Sequence, residues 1–201
     1  QVADRQANPR EDDLITTLLN SEIDGQKVPV EYVMGVCNLM LVAGVDTTWS
    51  SIGASLWHLA QHPEHRQQLR DDPELWPAAV EELLRAYAPV TMARIVDRDI
   101  DFQGCPMKAG DRVLMSFPAA NRDPEQFENP NEVIFDREHN RHVAFGAGIH
   151  RCAGSNLARL ELRVALQTWL ERIPEFELAD PSTVTWAGGQ VRGTRIAKVK
   201  F

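Results

Sequence analysis

The densest chemistry in this chain lies in Phe145-Gly-Ala-Gly-Ile-His150-Arg-Cys152-Ala-Gly154. Cys152 is one of only three cysteines and stands just ahead of a helical pattern that opens near Ser155. The first N–H groups of a helix have no intrahelical partner, and its dipole is positive at that end, so a negatively charged sulfur is suited to this place. Gly146, Gly148 and Gly154 let the backbone approach closely and turn its amides inward, as in anion-binding nests. Three uses are open to such a thiol: a buried structural group, a nucleophile, or a ligand to a metal inside a cofactor. No local cysteine-protease signature surrounds it.

Three further groupings carry chemistry. Ala43-Gly44-Val45-Asp46-Thr47-Thr48 interrupts an apolar run with an acid and two hydroxyls. Ala43 and Gly44 give a flat ligand room beside the backbone. Asp46 is costly in an apolar setting unless solvated, paired or used, and Thr47 can bond back to the helix. Glu82 and Arg85 lie at i, i+3 on a helical pattern and can pair, although Glu-x-x-Arg is a common spacing that by itself marks no site. Arg94 opens a β-like run, and its guanidinium suits a carboxylate in a bidentate fork.

These residues need elements to hold them. The opening reads as a short helix, a break at Asn8-Pro9, an amphipathic helix from Asp12 to Glu22, and a turn at Gly25 and Pro29. No proline interrupts Val30 to His62, and Pro63 supplies a stop, predicting a helix of about 50 Å. Its middle is apolar nearly all round, which places it through the core. Shorter helices follow over Glu64–Asp72 and from Pro77 to before Pro89. Ala93–Phe102 and Asp111–Phe117 read as strands of an antiparallel hairpin, joined by a turn-rich link. Residues 120–142 read as a long ordered loop, of the kind that is usually functional. Apolar residues at 162, 165, 166, 169, 170 and 173 predict a helix after Cys152, and the tail reads as a glycine-turn hairpin. The expected fold class is mainly α with small β-sheets, in one lobe over residues 1–201.

The 201 residues carry 21 Lys and Arg against 29 Asp and Glu, a net charge of −8, which argues against a general nucleic-acid binder. Cys37, Cys105 and Cys152 are odd in number and lack a Cys-x-x-Cys, so a disulfide framework or zinc ribbon is not expected. The longest apolar run, Val33 to Val45, is shorter than the roughly 20 residues of a membrane span. A cytoplasmic protein is the expectation.

The Cys152 stretch resembles the Phe-Gly-x-Gly-x-His-x-Cys-x-Gly loop of the haem-thiolate monooxygenases, the cytochromes P-450. An axial thiolate pushes electron density onto haem iron and favours O–O cleavage. The order of the groupings along the chain also matches that family. The resemblance implies haem b (iron protoporphyrin IX) with Cys152 as its metal ligand and Phe145 screening the sulfur. His150 and Arg94 would reach propionates; Ala43, Gly44, Gly146, Ala153, Gly154 and Ala158 would border the macrocycle. It implies that Asp46 and Thr47 deliver protons for dioxygen chemistry, and that Glu82, Arg85 and Arg137 form a structural network. Leu39, Val42, Val90, Thr91, Met92, Gly189 and Gln190 match segments that line the family's substrate pocket, for a small hydrophobic substrate.

By the same resemblance, electrons come from NAD(P)H through a ferredoxin or flavoprotein reductase. Five arginines against two acids between Arg137 and Arg163 offer a local +3 for such a partner, centred on Arg151, Arg159 and Arg163. The family's chains are about twice this length, and the uncapped start at Gln1 fits a C-terminal portion whose N-terminal half is its further partner. Peroxygenase or rearrangement chemistry at the same haem, and a non-catalytic helical fragment that does not hold haem, are the alternatives. Asp46 and Thr47 weigh against the former, which needs no proton relay for dioxygen.

Overall fold

Prolines and glycines punctuate this chain, and the computed structural model, which describes residues 1–201, places most element ends at them. The chain divides into two compact units, residues 1–46 and 47–201. In the first, α1 (Val2–Ala7) and α2 (Leu14–Asn20) flank the Asn8-Pro9 break. Asp13 caps α2, its carboxylate accepting from the Thr16 N–H and hydroxyl at 2.9 Å each. The helix ends at Asn20 rather than at Glu22, because Ser21 is already extended and Glu22 opens a small hairpin. That hairpin pairs β1 (Glu22–Ile23) with β2 (Gln26–Lys27) around Gly25, whose φ of +75° suits glycine.

Helix α3 (Val30–Gln61) begins in this unit and ends in the second, unbroken over 32 residues. Its all-round apolar middle predicted a path through the core, and here the structure differs. Leu39, Val42 and Val45 are each 65% exposed. An 18-residue window of α3 has mean hydropathy 1.3 with only 6% of it buried, long and apolar enough by length and composition to cross a membrane. Val33 is buried near the start of α3, and burial resumes only at Ser50, continuing through Ala54, His58 and Leu59. An apolar pattern records what a helix needs as cover; it does not say that the cover lies within the same stretch of chain.

The second unit is built on the last turns of α3. Pro63 opens α4 (Pro63–Asp71), and Pro77 sits in the first turn of α5 (Trp76–Ala86). The core gathers Leu59, Leu69, Val80, Leu83, Phe135, Leu162, Leu166 and Leu170, each at most 4% exposed. Burying one such leucine contributes about 1.5–3 kcal/mol. The first β-like run is not one strand: its start, β3 (Thr91–Ile95), lies antiparallel against β6 (Arg112–Ser116), with Thr91 opposite Ser116, and the strand ends at Ile95. The link between them is a second hairpin, β4 (Ile100–Phe102) with β5 (Cys105–Met107). A single turn, α6 (Phe117–Ala120), leads into residues 121–147, which contain no helix or strand.

The chain then enters α7 (Ser155–Arg172), which buries Leu162, Leu166 and Leu170 at i, i+4, i+8. After β7 (Glu177–Leu178), β8 (Thr185–Ala187) pairs with β9 (Gly193–Ile196) around a turn in which Gly189 has φ +106°. The last strand, β10 (Val199–Lys200), leaves that hairpin and pairs with β7. Strand β9 crosses α3 closely. A Cβ at Gly193 would collide with Ser50, backbone included, and one at Gly53 would lie 2.5 Å from the Thr194 hydroxyl.

Candidate functional site

The loop ahead of α7 closes on itself. The Cys152 N–H donates to the Phe145 carbonyl at 2.9 Å, and the Gly146 N–H to that of Val143 at 2.8 Å. Gly146 and Gly148 have φ +68° and +70°, where a Cβ is strained, and a single 3-10 turn, Gly148–His150, follows. Cys152 is thereby presented, exposed, three residues before α7, whose first bond runs from the Ala158 N–H to the Gly154 carbonyl at 2.9 Å. A Cβ at Gly154 would lie 3.9 Å from the Cys152 sulfur, so glycine keeps that flank of the thiol open. Ala153 is exposed and Ala158 half-buried. Ile149 is 96% exposed, an apolar side chain beside the thiol loop with no cover of its own.

Behind the loop stands a trio that spacing alone did not disclose. Arg159 reaches from α7 to Glu81 of α5, donating at 2.5 and 3.0 Å, and its guanidinium lies 4.6 Å from the Phe145 ring centroid. His142 donates from Nε2 to the same carboxylate at 3.0 Å while its Nδ1 accepts from the Ala144 N–H at 3.2 Å, which fixes the tautomer. Burial opposes ionisation of Glu81, but the hydrogen bonds from His142 and Arg159 outweigh it and hold the carboxyl down at about 2. The hydrogen bond to Glu81 likewise raises Arg159 above the usual guanidinium range, with Cys152 a smaller contributor.

One residue along α5, Glu82 is the hub of a buried network. It accepts from Arg85 at 2.7 and 2.8 Å, from Arg137 Nε at 3.1 Å, from Asn140 at 3.0 Å and from the Ile134 N–H at 2.9 Å. Arg85 also donates to the carbonyls of Asn121, Pro130 and Glu132 at 2.9, 2.8 and 2.7 Å. Glu82 and Arg85 thus tie α5 to the irregular segment leading to Cys152. Glu82, Arg85 and Arg137 do meet; Asn140, Glu81 and His142 are members that no motif announced.

The remaining predicted residues fall into separate groups. Arg94 lies on β3 opposite Val113, exposed, donating to the Ala93 carbonyl at 2.9 Å, and His150 is exposed. Val90 bridges Val191, and the Thr91 N–H donates to the Gln190 carbonyl at 2.9 Å, so 90–92 and 189–190 adjoin while Gly189 and Gln190 stay exposed. Leu39, Val42, Ala43 and Gly44 are exposed on α3, and a Cβ at Gly44 would meet nothing within 4 Å. Asp46 and Thr47 follow, both half-buried.

The expected basic patch needs correction. Arg137 and Arg159 are consumed by Glu82 and Glu81 of α5, carboxylates too remote in sequence to enter a local charge count. Exposed guanidinium charge remains at Arg141, Arg151 and Arg163.

Residues 1–185 match the Cytochrome P450 family model. The chain belongs to the cytochrome P450 family. It is 41% identical over 181 residues to a probable cytochrome P450 127A1 of Sinorhizobium fredii, covering 90% of this chain and 44% of that protein. It is also 39% identical over 188 residues to the polyketide biosynthesis cytochrome P450 PksS of Bacillus subtilis, covering 92% of this chain and 46% of that one. The solved PksS structure superposes with a TM-score of 0.92, over 98% of this chain and 52% of that chain. That of P450BioI in complex with a hexadec-9Z-enoic acid-ligated acyl carrier protein does so at 0.90 and 37% identity, over 100% and 51%. The chain therefore spans about half the length of the P450 relatives it matches.

The P450 family implies a haem-iron cofactor, and the residues present fit one. The exposed thiol with an open flank at Gly154 suits a soft metal ligand. The exposed Arg94 guanidinium and His150 imidazole offer N–H donors suited to its carboxylates.

A second cluster of donors went unnoticed in the sequence. His58, His62 and His65 place their rings 4.2–5.2 Å apart between centroids, near the end of α3 and the start of α4. The spacing His-x3-His-x2-His across a proline was the available signal.

Proposed function

We propose that this sequence is the C-terminal, haem-binding portion of a P450 monooxygenase that oxidises a small hydrophobic substrate with dioxygen. The observation that carries the reading is the closed loop in which the Phe145 carbonyl holds the Cys152 N–H and leaves the thiol exposed beside α7. Cys152 would ligate the iron of haem b, and Arg94 and His150 would hold its propionates. Ala43, Gly44, Gly146, Ala153, Gly154 and Ala158 would border the ring, with Phe145 over the sulfur. When bound, that group supplies the site where dioxygen is activated.

The protein's part is to place protons and substrate. The half-buried Asp46 carboxyl and Thr47 hydroxyl would pass protons from water towards the dioxygen site, the step that heterolytic O–O cleavage requires. Val90, Thr91 and Met92, adjoining Gly189 and Gln190, would form one apolar wall for substrate, and Leu39 and Val42 another. Electrons would come from NAD(P)H through a ferredoxin or flavoprotein reductase that meets the exposed Arg141, Arg151 and Arg163. The polypeptide that makes up the rest of a P450's length would be the further partner, and the cytoplasm the site of action. A trial of the reading loads the protein with haem and measures Thr47→Ala under a reductase system. A drop in product formed per NAD(P)H consumed supports it; unchanged coupling refutes the relay.

A further inference from the structure

We infer that His58, His62 and His65 form a binding site for a divalent first-row metal ion of the imidazole-preferring class, zinc foremost, separate from the thiol loop. The site is made at a corner. His58 lies in the last turn of α3, His62 caps α4, and Pro63 turns the chain so that His65 comes round in the first turn of α4. One ring nitrogen from each residue lies within 4.8 Å of the other two. The His58 Nε2 and His65 Nδ1 atoms face each other at 2.8 Å.

The outer partners are arranged as they are around a bound metal. The Tyr87 hydroxyl sits 2.8 Å from His58 Nδ1, and the Glu64 carboxylate 2.7 Å from His62 Nδ1. In each case the second nitrogen, Nε2, is the one left to ligate. Partners of this kind orient ligating imidazoles and raise their basicity. Phe135 packs on His65 at 4.8 Å between ring centroids and limits its rotation. Arg66, next in sequence to His65, is answered by Glu175 at 3.1 Å.

The geometry also states how much must move. Zinc–nitrogen bonds of about 2.0–2.1 Å in a tetrahedron set nitrogens about 3.4 Å apart. The 2.8 Å pair has to open by about 0.6 Å and the widest has to close by at most about 1.4 Å, both within reach of small side-chain rotations. His62 is 42% exposed, which gives an ion a way in, and three protein nitrogens leave the fourth position for water. A bound ion would clamp the α3–α4 corner.

Chelator-treated protein is titrated with zinc chloride by calorimetry, and with cobalt chloride while visible absorption is followed. One ion per chain and the intense visible bands of tetrahedral cobalt are expected. His62→Ala and His65→Ala should each weaken zinc binding about tenfold or more. His58 is buried, so His58→Ala risks the fold; the two other variants, checked by circular dichroism, keep the test independent of it. Cys152→Ser should retain the ion, which separates this site from the thiol loop. Absence of saturable one-to-one binding overturns the proposal, as does binding that survives unchanged in His62→Ala and His65→Ala.

Discussion

Glu82 and Arg85, one helical turn apart on α5, are joined at 2.7 and 2.8 Å with both side chains completely out of water. An exposed pair at this spacing would contribute a few tenths of a kcal/mol. Here desolvation is severe, and what makes the pair tenable is that every remaining donor and acceptor is used, by Arg137, Asn140 and four backbone groups. The pair is the anchor from which the long irregular segment hangs. Glu82→Ala would leave Arg85 and Arg137 without their counter-ion. It should cost about 3–5 kcal/mol, read as a shift of the urea unfolding midpoint. A loss below about 1 kcal/mol would mean that the segment is held some other way.

The neighbouring Glu81 gives the fold a pH dependence. Its folded pKa, at about 2, is below the 4.5 of the free side chain. The unfolded chain therefore takes up its proton first, so the stabilisation is complete above 4.5 and is lost as pH falls towards about 2. Denaturant titrations across that window should show stability falling with acid in the parent protein, and a shallower fall in Glu81→Gln.

The contact between Gly193 and Ser50 predicts a packing penalty. Gly193→Ala puts a methyl group into the Ser50 side chain and backbone, which cannot move aside without displacing α3. A destabilisation of about 1–3 kcal/mol is expected by thermal or chemical unfolding. At Gly44, inside α3 and with nothing within 4 Å of an added Cβ, alanine should raise the stability of the haem-free protein by about 0.5–1 kcal/mol.

Charge reversal at Arg151 and Arg163, both exposed, should slow reduction by an acidic electron donor, most strongly at low ionic strength. Stopped-flow reduction of haem-loaded protein against salt concentration reads this directly. Reversal at Arg159 is a poor probe, because it would break the pair with Glu81 at 2.5 Å.

Elements whose stop signals are local were legible in the sequence. Pro63 marked the end of the long helix and Pro77 a helix start, Gly25 and Gly189 marked turns, and the i, i+4, i+8 leucines of α7 marked its buried face. The Glu82–Arg85–Arg137 meeting was reached only through family resemblance, since Glu-x-x-Arg by itself says nothing of burial. Glu81, His142, Asn140 and the histidine corner were missed because each depends on segments brought together from afar or on a turn's geometry. The exposure of Leu39 to Val45 was misread for a related reason: hydropathy reports a preference, and only the fold reports whether it is met.

The central claim is that Cys152 is a haem-iron ligand, and the absorption spectrum of the reduced, haem-loaded protein under carbon monoxide tests it most directly. A strongly red-shifted Soret band that disappears in Cys152→Ser is the predicted result. Failure to take up haem, or a Soret band that is unshifted or indifferent to Cys152→Ser, would contradict it.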